Sequence, residues 1–443
     1  MFDELLRLLT LQDANTRTVL LGATALGIAS AVVGSFAVLR RRALVGDAVS
    51  HAALPGLCLA YLVIGDRNFA AFLAGALVMG VGAAAFIALV KAWTRVKEDA
   101  AIALVIGGFF GLGIVLSRSI QNEPSGNRAG LDGFIFGKAA SMVASDAALI
   151  GAIGAGVIAC VALLFKEFRV LCFDRDFASS QGWPSLLLDL LLMTLVCVCT
   201  VAGLPAVGVV LMVSLLVIPP AAARFWTNRL GTMVCLAGAF GGAAGALGTG
   251  LSATLPAPAS ALTRGWPTGP LITLVAAAIF VISLLAAPKR GVAADLVRRW
   301  TLRRRVARQN LLRRVYEALE PRGDFAAVWT QESIPHSSRA LRSALRAGLV
   351  ERTETGFRLS ATGRAAAARV VRAHRLWEIY LITQAQIAPD HVDRDADQIE
   401  HVLPPETLAT LEAKLAEEGR LPAGVPRSPH RIGAPVEAGA LRP

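Results

Sequence analysis

The stretch RRRALVGDAVSHAALPG, Arg40 to Gly56, places two polar side chains inside an apolar segment, directly after three arginines. Asp47 and His51 are four residues apart, which on a helix is about 400° of rotation and roughly 6 Å of rise, so both lie on one face. A carboxylate within a membrane costs about 2.5–3.5 kcal/mol on insertion scales. A water-filled cavity, an ion pair or a bound cation would offset that cost, so the stretch predicts a helix with a polar site.

The composition of the whole chain favours a membrane setting for this stretch. The 443 residues are 55% hydrophobic, with a mean hydropathy of +0.57, against about 45–50% apolar residues in soluble domains. The apolar character ends near residue 288, and the doublet Pro219-Pro220 is expected to close one segment. Windows of about twenty apolar residues predict about nine transmembrane helices, near 18–39, 43–64, 69–90, 99–117, 145–165, 184–203, 206–222, 230–253 and 269–287.

Lys and Arg in the short loops predict the orientation, because cytoplasmic loops carry an excess of both. If Arg40–Arg42 is cytoplasmic, thirteen basic residues up to Arg290 lie on that side and seven on the other. Nine spans then place the N-terminus outside and the C-terminal part in the cytoplasm of a multi-pass inner-membrane protein. Ten basic residues against one acid, from Lys289 to Arg314, would lie at the membrane surface.

Two interpretations of Asp47 and His51 are open at this point. Carboxylate plus imidazole is a common ligand pair for a divalent transition metal, Ser50 could add an oxygen, and Pro55-Gly56 would interrupt the helix to form the site. Alternatively, Asp47 caps a helix end near the arginines and His51 is a hydrogen-bonded core histidine. His51 is the only histidine in the first 335 residues, which makes the pair moderately specific.

Two segments resemble the permeases of zinc, manganese and iron ABC transporters over about residues 15–288. The first is LRRRALVGDAVSHAALPGLCLAYLV (39–63), because that family has Gly-Asp, three residues and His in its second span. The second is FDRDFASSQGWP (173–184), followed by LPAVGVVLMVSLLVIPPAAARFW (204–226). The resemblance implies a pore formed by a homodimer or with a paralogous permease, whose central metal site uses Asp47 and His51.

The same resemblance implies a short cytoplasmic coupling helix that docks on a separate ATPase. Its residues here would be Asp174, Asp176, Ala178 and Gly182. The chain has no Walker A sequence, since GFIFGKAA (133–140) has Ala where Ser or Thr is needed. We therefore predict that this chain is not an enzyme and binds no ATP. By resemblance, its partners are the ATPase and an extracytoplasmic metal-binding protein.

Residues 306–373 predict a winged helix-turn-helix. Arg339, Arg342 and Arg346 share one face of its second short helix and could contact phosphates. We favour a solvated or membrane-facing surface, so nucleic acid is not the expected partner. The segments are an amphipathic helix at 308–320, short helices in 325–332 and 335–350, a two-stranded wing at 350–360 and a long helix opening at 361.

The C-terminal part is rich in possible metal ligands, since four of the six histidines lie between 374 and 430. Sets of His, Asp and Glu at helical spacing bind Mn, Fe, Zn or Co, although a charged helix with internal ion pairs is an equal alternative. The candidates are His374, Glu378, Asp393, Asp397, Glu400 and His401.

AHRLWEIYL (373–381), DQIEHVLPPETLATLEAKL (397–415) and SPHRIGAP (428–435) resemble the metal-binding and dimerisation domain of diphtheria-toxin-repressor-type regulators. The match runs over about 306–435. Asn310 stands where that family has a Met or Asp ligand. The resemblance implies one site from His374, Glu378 and Asp393, and another from Asp397, Glu400 and His401.

The sequence thus predicts an all-α polytopic membrane domain, then a cytosolic winged helix-turn-helix and an α-helical metal-binding and dimerisation domain. We expect a permease subunit importing manganese, zinc or iron, with a tail that senses the same metal. A membrane-tethered metal-dependent transcription regulator, or a permease with a scaffold tail, are the alternatives. The predicted domains are 1–288 (permease), 289–305 (basic juxtamembrane linker), 306–373 (winged helix-turn-helix), 374–435 (metal-binding and dimerisation) and 436–443 (tail).

Overall fold

A computed structural model describes most of the chain. Its residues group into two compact units, Met1–Ala294 and Asp295–Pro443. The described residues are 14–65, 69–122, 142–255, 266–330, 332–334, 337–384, 405–417 and 424–426.

The first unit is helical throughout its described residues. Most of its helices are uniformly apolar, as expected for segments surrounded by lipid and by other helices. Its helices are α1 (Ala14–Leu39), α2 (Ala43–Ile64), α3 (Phe69–Trp93), α4 (Glu98–Gln121), α5 (Ala144–Leu163), α6 (Phe165–Phe173), α7 (Arg175–Ser180), α8 (Ser185–Val207), α9 (Val209–Trp226), α10 (Leu230–Thr254) and α11 (Thr268–Ala286).

Eight of these helices are long and apolar enough to cross a membrane, so the predicted polytopic helical domain is confirmed. The seventh predicted segment, 206–222, forms α9, of which Met212–Trp226 is a shorter apolar helix among the residues described in full. Gly208, at φ 86 and ψ 167, separates α8 from α9. This backbone conformation is open to glycine and strained for other residues, so it sets the boundary between the two helices.

Two predicted helix breaks are wrong. Pro55 lies inside α2, which continues to Ile64, and Pro219 and Pro220 lie inside α9, which continues to Trp226. In a membrane bundle, neighbouring groups and small local adjustments satisfy the carbonyls that a proline leaves without a donor. Asp47 and His51 therefore lie on one uninterrupted helix.

Small residues bring the membrane helices into close contact. Gly27 of α1 and Gly241 of α10 face each other so closely that a Cβ on either would collide with the carbonyl of the other. Gly56 of α2 and Gly75 of α3 form the same kind of contact. Without a hydrophobic driving force between helices in lipid, such close backbone packing is a main source of association. It holds α2 firmly between its neighbours.

The second unit begins within a long helix. α12 runs from Val292 through the predicted basic linker and the predicted amphipathic segment without a break, and the wing strands pair in antiparallel register, Val350 opposite Leu359. The remaining elements are a 3-10 turn (Glu320–Arg322), α13 (Ser338–Arg346), β1 (Val350–Arg352), β2 (Phe357–Leu359), α14 (Ala361–Gln384) and α15 (Pro405–Glu417).

The short helix predicted in 325–332 is wrong for the residues that are described there. Trp329 instead exchanges two backbone hydrogen bonds with Phe357 of β2, at 2.8 and 2.9 Å, and so extends the wing. Its indole packs on the Phe357 ring at 5.3 Å between centroids, and Trp329 is 3% exposed. Burial of this large ring against the wing outweighs the weak helix propensity of the segment.

Candidate metal centre and coupling segment

The Asp47 and His51 side chains lie next to each other on one face of α2. His51 Nε2 lies 3.5 Å from Asp47 Oδ1, and the two side chains are 22% and 33% exposed. That distance is too long for a strong hydrogen bond, so the two groups are adjacent without being locked together. A cation between them would replace the missing hydrogen bond with two coordinate contacts.

His51 keeps one ring nitrogen unused. Its Nδ1 is buried and has no hydrogen-bond partner among the described residues, and its ring meets Phe110 of α4 edge-on at 4.8 Å. A histidine kept only for packing would normally satisfy both ring nitrogens, because an unmet buried polar atom costs about 1–3 kcal/mol. The neighbouring Ser50 is completely buried and donates to the Gly46 carbonyl at 2.9 Å, so its hydrogen is already committed.

The alternative in which Asp47 caps a helix end near the arginines does not match the observed ion pairs. Arg42 lies 2.6 Å from Asp189 Oδ2 and 3.2 Å from Glu98 Oε1, and Arg40 lies 3.2 Å from Asp189 Oδ1. Within the part of the chain that the structure covers, Asp47 contacts no Lys or Arg. The carboxylate of α2 therefore remains available to a cation.

Asp189 and Glu98 form a charge network, buried at Asp189 and half-buried at Glu98, that the sequence reasoning missed. The network connects the α1–α2 corner to α8 through Asp189 and to α4 through Glu98, which also pairs with Lys91 of α3. Asp189 is only 6% exposed. The signal was present in the sequence, since Asp189 is the single charge in SLLLDLLLMTLV (185–196), an apolar run where an acid demands a partner.

The predicted coupling segment is a short exposed helix next to this network. Asp174 caps α7 by accepting a hydrogen bond from the Phe177 backbone at 2.8 Å, a standard way to satisfy a helix start. Ala178 is fully buried and anchors the helix, whereas Asp176 is exposed. Gly182 has a φ of 79° and reverses the chain after the helix. The four predicted residues therefore all belong to α7 or to the residues at its two ends.

α7 presents both charge and apolar surface outward. Phe173 and Phe177 are 64% and 51% exposed, beside the two aspartates. The charge network reaches the same region, because Arg40 Nη1 donates to the Leu171 carbonyl of α6 at 3.2 Å. An exposed aromatic pair rimmed by charge is suited to binding another protein.

The tail pair His374 and Glu378 is buried inside the second unit. Nε2 of His374 lies 3.2 Å from Glu378 Oε1, and the two side chains are 2% and 0% exposed. Arg313 of α12 lies against the imidazole, with Nη1 2.8 Å from Nδ1 and 3.1 Å from Nε2. In this arrangement a guanidinium occupies the place beside the imidazole that a metal would need.

The remaining predicted tail ligands cannot be compared with this arrangement. Asp393, Asp397, Glu400 and His401 lie outside the described residues. Over the residues that are described, no group of three or more His, Cys, Asp and Glu side chains could hold a metal ion. The Asn310 amide oxygen of α12 is buried and lacks a hydrogen-bond partner within those same residues, so that oxygen is free to act as a ligand. The buried imidazole of His374 and carboxylate of Glu378 are of the ligand types that transition metals take.

Eight apolar spans, an acid–imidazole pair inside one of them and an exposed helix between two others define a multi-pass membrane protein of the transporter class. The family model "ABC 3 transport family" matches residues 12–287. The chain belongs to that family, and so is a membrane component of a transporter and not an enzyme. A second model, "Iron dependent repressor, metal binding and dimerisation domain", matches residues 360–428.

Similar proteins match either nearly the whole chain or about two thirds of it. The "Manganese transport system membrane protein MntC" of Bacillus subtilis (strain 168) is 38% identical over 94% of either chain. The "Zinc transport system membrane protein TroC" of Treponema pallidum (strain Nichols) is 40% identical over 65% of this chain and 94% of its own length. The solved structure "PsaBC from Streptococcus pneumoniae in complex with Fab" is 31% identical, with a TM-score of 0.56, over 66% of this chain and 98% of that chain.

The near-complete match to the Bacillus subtilis protein covers the membrane and C-terminal parts together. The predicted fusion of a permease with a repressor-type metal-binding domain is thereby confirmed. Because the matched domain starts at residue 360, it includes all of α14, with His374 and Glu378.

Proposed function

We propose that this chain is the permease subunit of an ATP-binding-cassette importer for a divalent transition-metal ion, manganese, zinc or iron. The observation that carries the proposal is the pair of Asp47 and His51 on one face of α2, with a buried ring nitrogen of His51 left unpaired. The names of the similar manganese and zinc proteins support the same substrate class.

The pair provides two ligands, an oxygen and a nitrogen, whereas a transition metal takes four or more. A second copy of the chain, or a paralogous permease, would supply a second pair across the pore. The incomplete set suits a substrate, because a transported ion has to be released after each binding event. Asp47 supplies charge to attract the cation and His51 supplies selectivity for transition metals over magnesium and calcium.

Energy for transport would come from a separate ATPase bound at α7. The exposed Phe173 and Phe177, with Asp174 and Asp176 beside them, form the contact surface. Asp189 and Arg40 join α8 and α6, the two helices that flank α7, to the start of the substrate helix α2. Movement of α7 would therefore pass through these ion pairs to the start of α2, and α2 carries Asp47. An extracytoplasmic metal-binding protein would deliver the ion.

The topology follows the basic loops, with the N-terminus outside and the repressor-type domain in the cytoplasm. There this domain would bind the imported metal and bias the permease. Such coupling requires that the metal bind one conformational state more tightly than the other. Inhibition at high internal metal is the expected direction.

Uptake in cells that lack their own importers tests the proposal. We expect saturable uptake of at least one of Mn²⁺, Zn²⁺ and Fe²⁺ when the chain is produced with its ATPase, and background uptake when either is omitted. The ATPase alone and the chain alone are the matched controls. Background uptake of all three ions by the complete system would contradict the proposal.

Metal binding by the tail is tested separately by calorimetry on the full-length protein. We expect a saturable site that survives Asp47→Asn but weakens about 10–100-fold in His374→Ala, in line with the loss of metal-site groups elsewhere. Arg313→Gln should tighten that site, because the guanidinium and the metal compete for the same imidazole. If no site responds to His374→Ala, the tail is a scaffold and not a sensor.

A further inference from the structure

A groove of about 830 Å³ in the second unit is lined by arginines on two facing helices. Residues of α12 at helical spacing form one wall, and residues of α13 form the other. Trp300, three alanines and two serines provide the rest of the lining, which includes no acidic residue. The arginines are Arg303, Arg304 and Arg308 on α12 and Arg339, Arg342 and Arg346 on α13.

These six guanidinium groups have no acidic partner among the described residues. The acid that precedes the arginines of α12, Asp295, is already bound by Arg298 and Arg299, and the hydrogen bond from Arg298 holds the pKa of Asp295 below its usual range. Arg304 lies instead over the Trp300 ring, 3.2 Å from its centroid. Six like charges around one groove repel each other, and an anion placed between them would reverse that repulsion.

The groove continues into an exposed apolar surface. Leu296, Val297 and Trp300 are 61%, 62% and 56% exposed. A second hollow is lined by these three residues with Arg299 and Arg303, and so shares Trp300 and Arg303 with the groove. Exposed apolar side chains and a tryptophan, with arginines directly beside them, are typical of a helix lying at a membrane interface.

We propose that the groove binds the phosphate headgroup of an anionic phospholipid, with Leu296, Val297 and Trp300 against its acyl chains. Trp300 lies only fourteen positions after Ala286, the last residue of the final apolar helix. So short a connection keeps Leu296, Val297 and Trp300 within reach of the membrane surface. The arginines bind phosphate through paired N–H donors, and the groove volume is suited to a whole headgroup and not only to a single ion.

Duplex DNA fits the groove less well. A recognition helix has to enter the major groove, about 12 Å wide, by itself. Here the arginine face of α13 is opposite the arginines of α12, so the second helix occupies the space that DNA would need. The exposed Leu296 and Val297 have no role in contact with DNA.

Hydrogen exchange on the full-length protein in lipid nanodiscs tests this site. Discs of phosphatidylcholine are compared with discs that contain increasing phosphatidylglycerol. We expect slower exchange in Leu296–Arg308 and in Ser338–Arg346 as phosphatidylglycerol rises, and no such change in phosphatidylcholine alone. Two further arms add inorganic phosphate or a DNA duplex to the phosphatidylcholine discs.

A matched pair of double variants separates a formed site from general attraction to a charged surface. Arg304→Gln/Arg342→Gln removes two charges from the groove, and Arg298→Gln/Arg305→Gln removes two exposed charges of α12 that line neither the groove nor the second hollow. At about 1 kcal/mol per basic contact, the groove variant should need at least about tenfold more phosphatidylglycerol to reach half of the maximal slowing of exchange. The control variant should need no more than about threefold more. Unchanged exchange in β1, β2 and α14 checks that both variants are folded.

Several outcomes would overturn the proposal. Equal loss of protection in both double variants would mean diffuse attraction without a site. Equal protection by phosphatidylcholine would mean an apolar contact alone. Full protection by inorganic phosphate would point to a free anion, and protection by DNA but not by phosphatidylglycerol would make α13 a nucleic-acid contact.

Discussion

Asp47→Asn and His51→Ala are each expected to reduce metal uptake at least about tenfold. Loss of groups that only orient metal ligands costs about 10–100-fold, and these two side chains would contact the ion itself. Asn keeps the size of Asp47 but removes the negative charge, while Ala removes the imidazole. Radiolabelled or mass-detected uptake of Mn²⁺, Zn²⁺ and Fe²⁺, with the ATPase present, measures the effect.

Ser50→Ala is the matched control for these two variants. Ser50 lies on the same helix, one residue from His51, and its hydroxyl is committed to the Gly46 carbonyl. Loss of that hydrogen bond should cost about 1 kcal/mol of stability and leave uptake near the wild-type level. Near wild-type uptake in both Asp47→Asn and His51→Ala, at equal protein in the membrane, would remove the proposed site.

Asp189→Asn is expected to lower the free energy of unfolding by about 3–5 kcal/mol. Removal of one partner from a buried ion pair leaves the other charge without compensation. Here two cations depend on one carboxylate, since Arg40 and Arg42 are 9% and 14% exposed at their side chains. Thermal or denaturant unfolding of the purified protein in detergent measures the loss.

Asp99→Asn is the matched control for that experiment. Asp99 is an exposed acid in the first turn of α4, next to Glu98 of the network. A surface substitution of this kind should change stability by about 0.5 kcal/mol or less. Equal stability of Asp189→Asn and the wild type would show that the network contributes no net stability.

The two variants also separate coupling from folding. Asp189→Asn protein that remains folded should hydrolyse ATP with its ATPase partner while transporting less metal per ATP. The reason is that α8, which follows α7, would lose its ion pairs to Arg40 and Arg42 at the α1–α2 corner. Asp47→Asn should leave the attachment of α7 intact. A wild-type ratio of transport to hydrolysis in Asp189→Asn would contradict this role.

The membrane helices and the acid–imidazole pair were readable from the sequence because both depend on local properties. Burial of about twenty apolar residues in lipid is favourable wherever they occur. A spacing of four residues places Asp47 and His51 on one face of any helix. The wing and the long helix α14 were predicted for the same reason, from turn residues at Thr355-Gly356 and from the helical pattern that starts at Ala361.

Other features depended on which helices are neighbours, which local pattern does not contain. Pro55 does not break α2, because its surroundings support the helix. The described residues of 325–332 do not form a helix, because Trp329 pairs with Phe357, 28 positions away. The partners of Arg42 are Asp189 and Glu98, not the nearer Asp47, and Arg313 reaches His374 across 61 positions.

The sequence by itself determined the membrane class, the helical content and the residues with metal-ligand chemistry. The free energy of transfer into lipid and the periodicity of a helix both depend on residues that are close together in sequence. The tertiary structure alone decided which charges are neutralised by each other and which stay available to a ligand. That depends on the distances between side chains far apart in sequence. Among the described residues, these distances leave Asp47 without a Lys or Arg partner and the six groove arginines without an acidic partner.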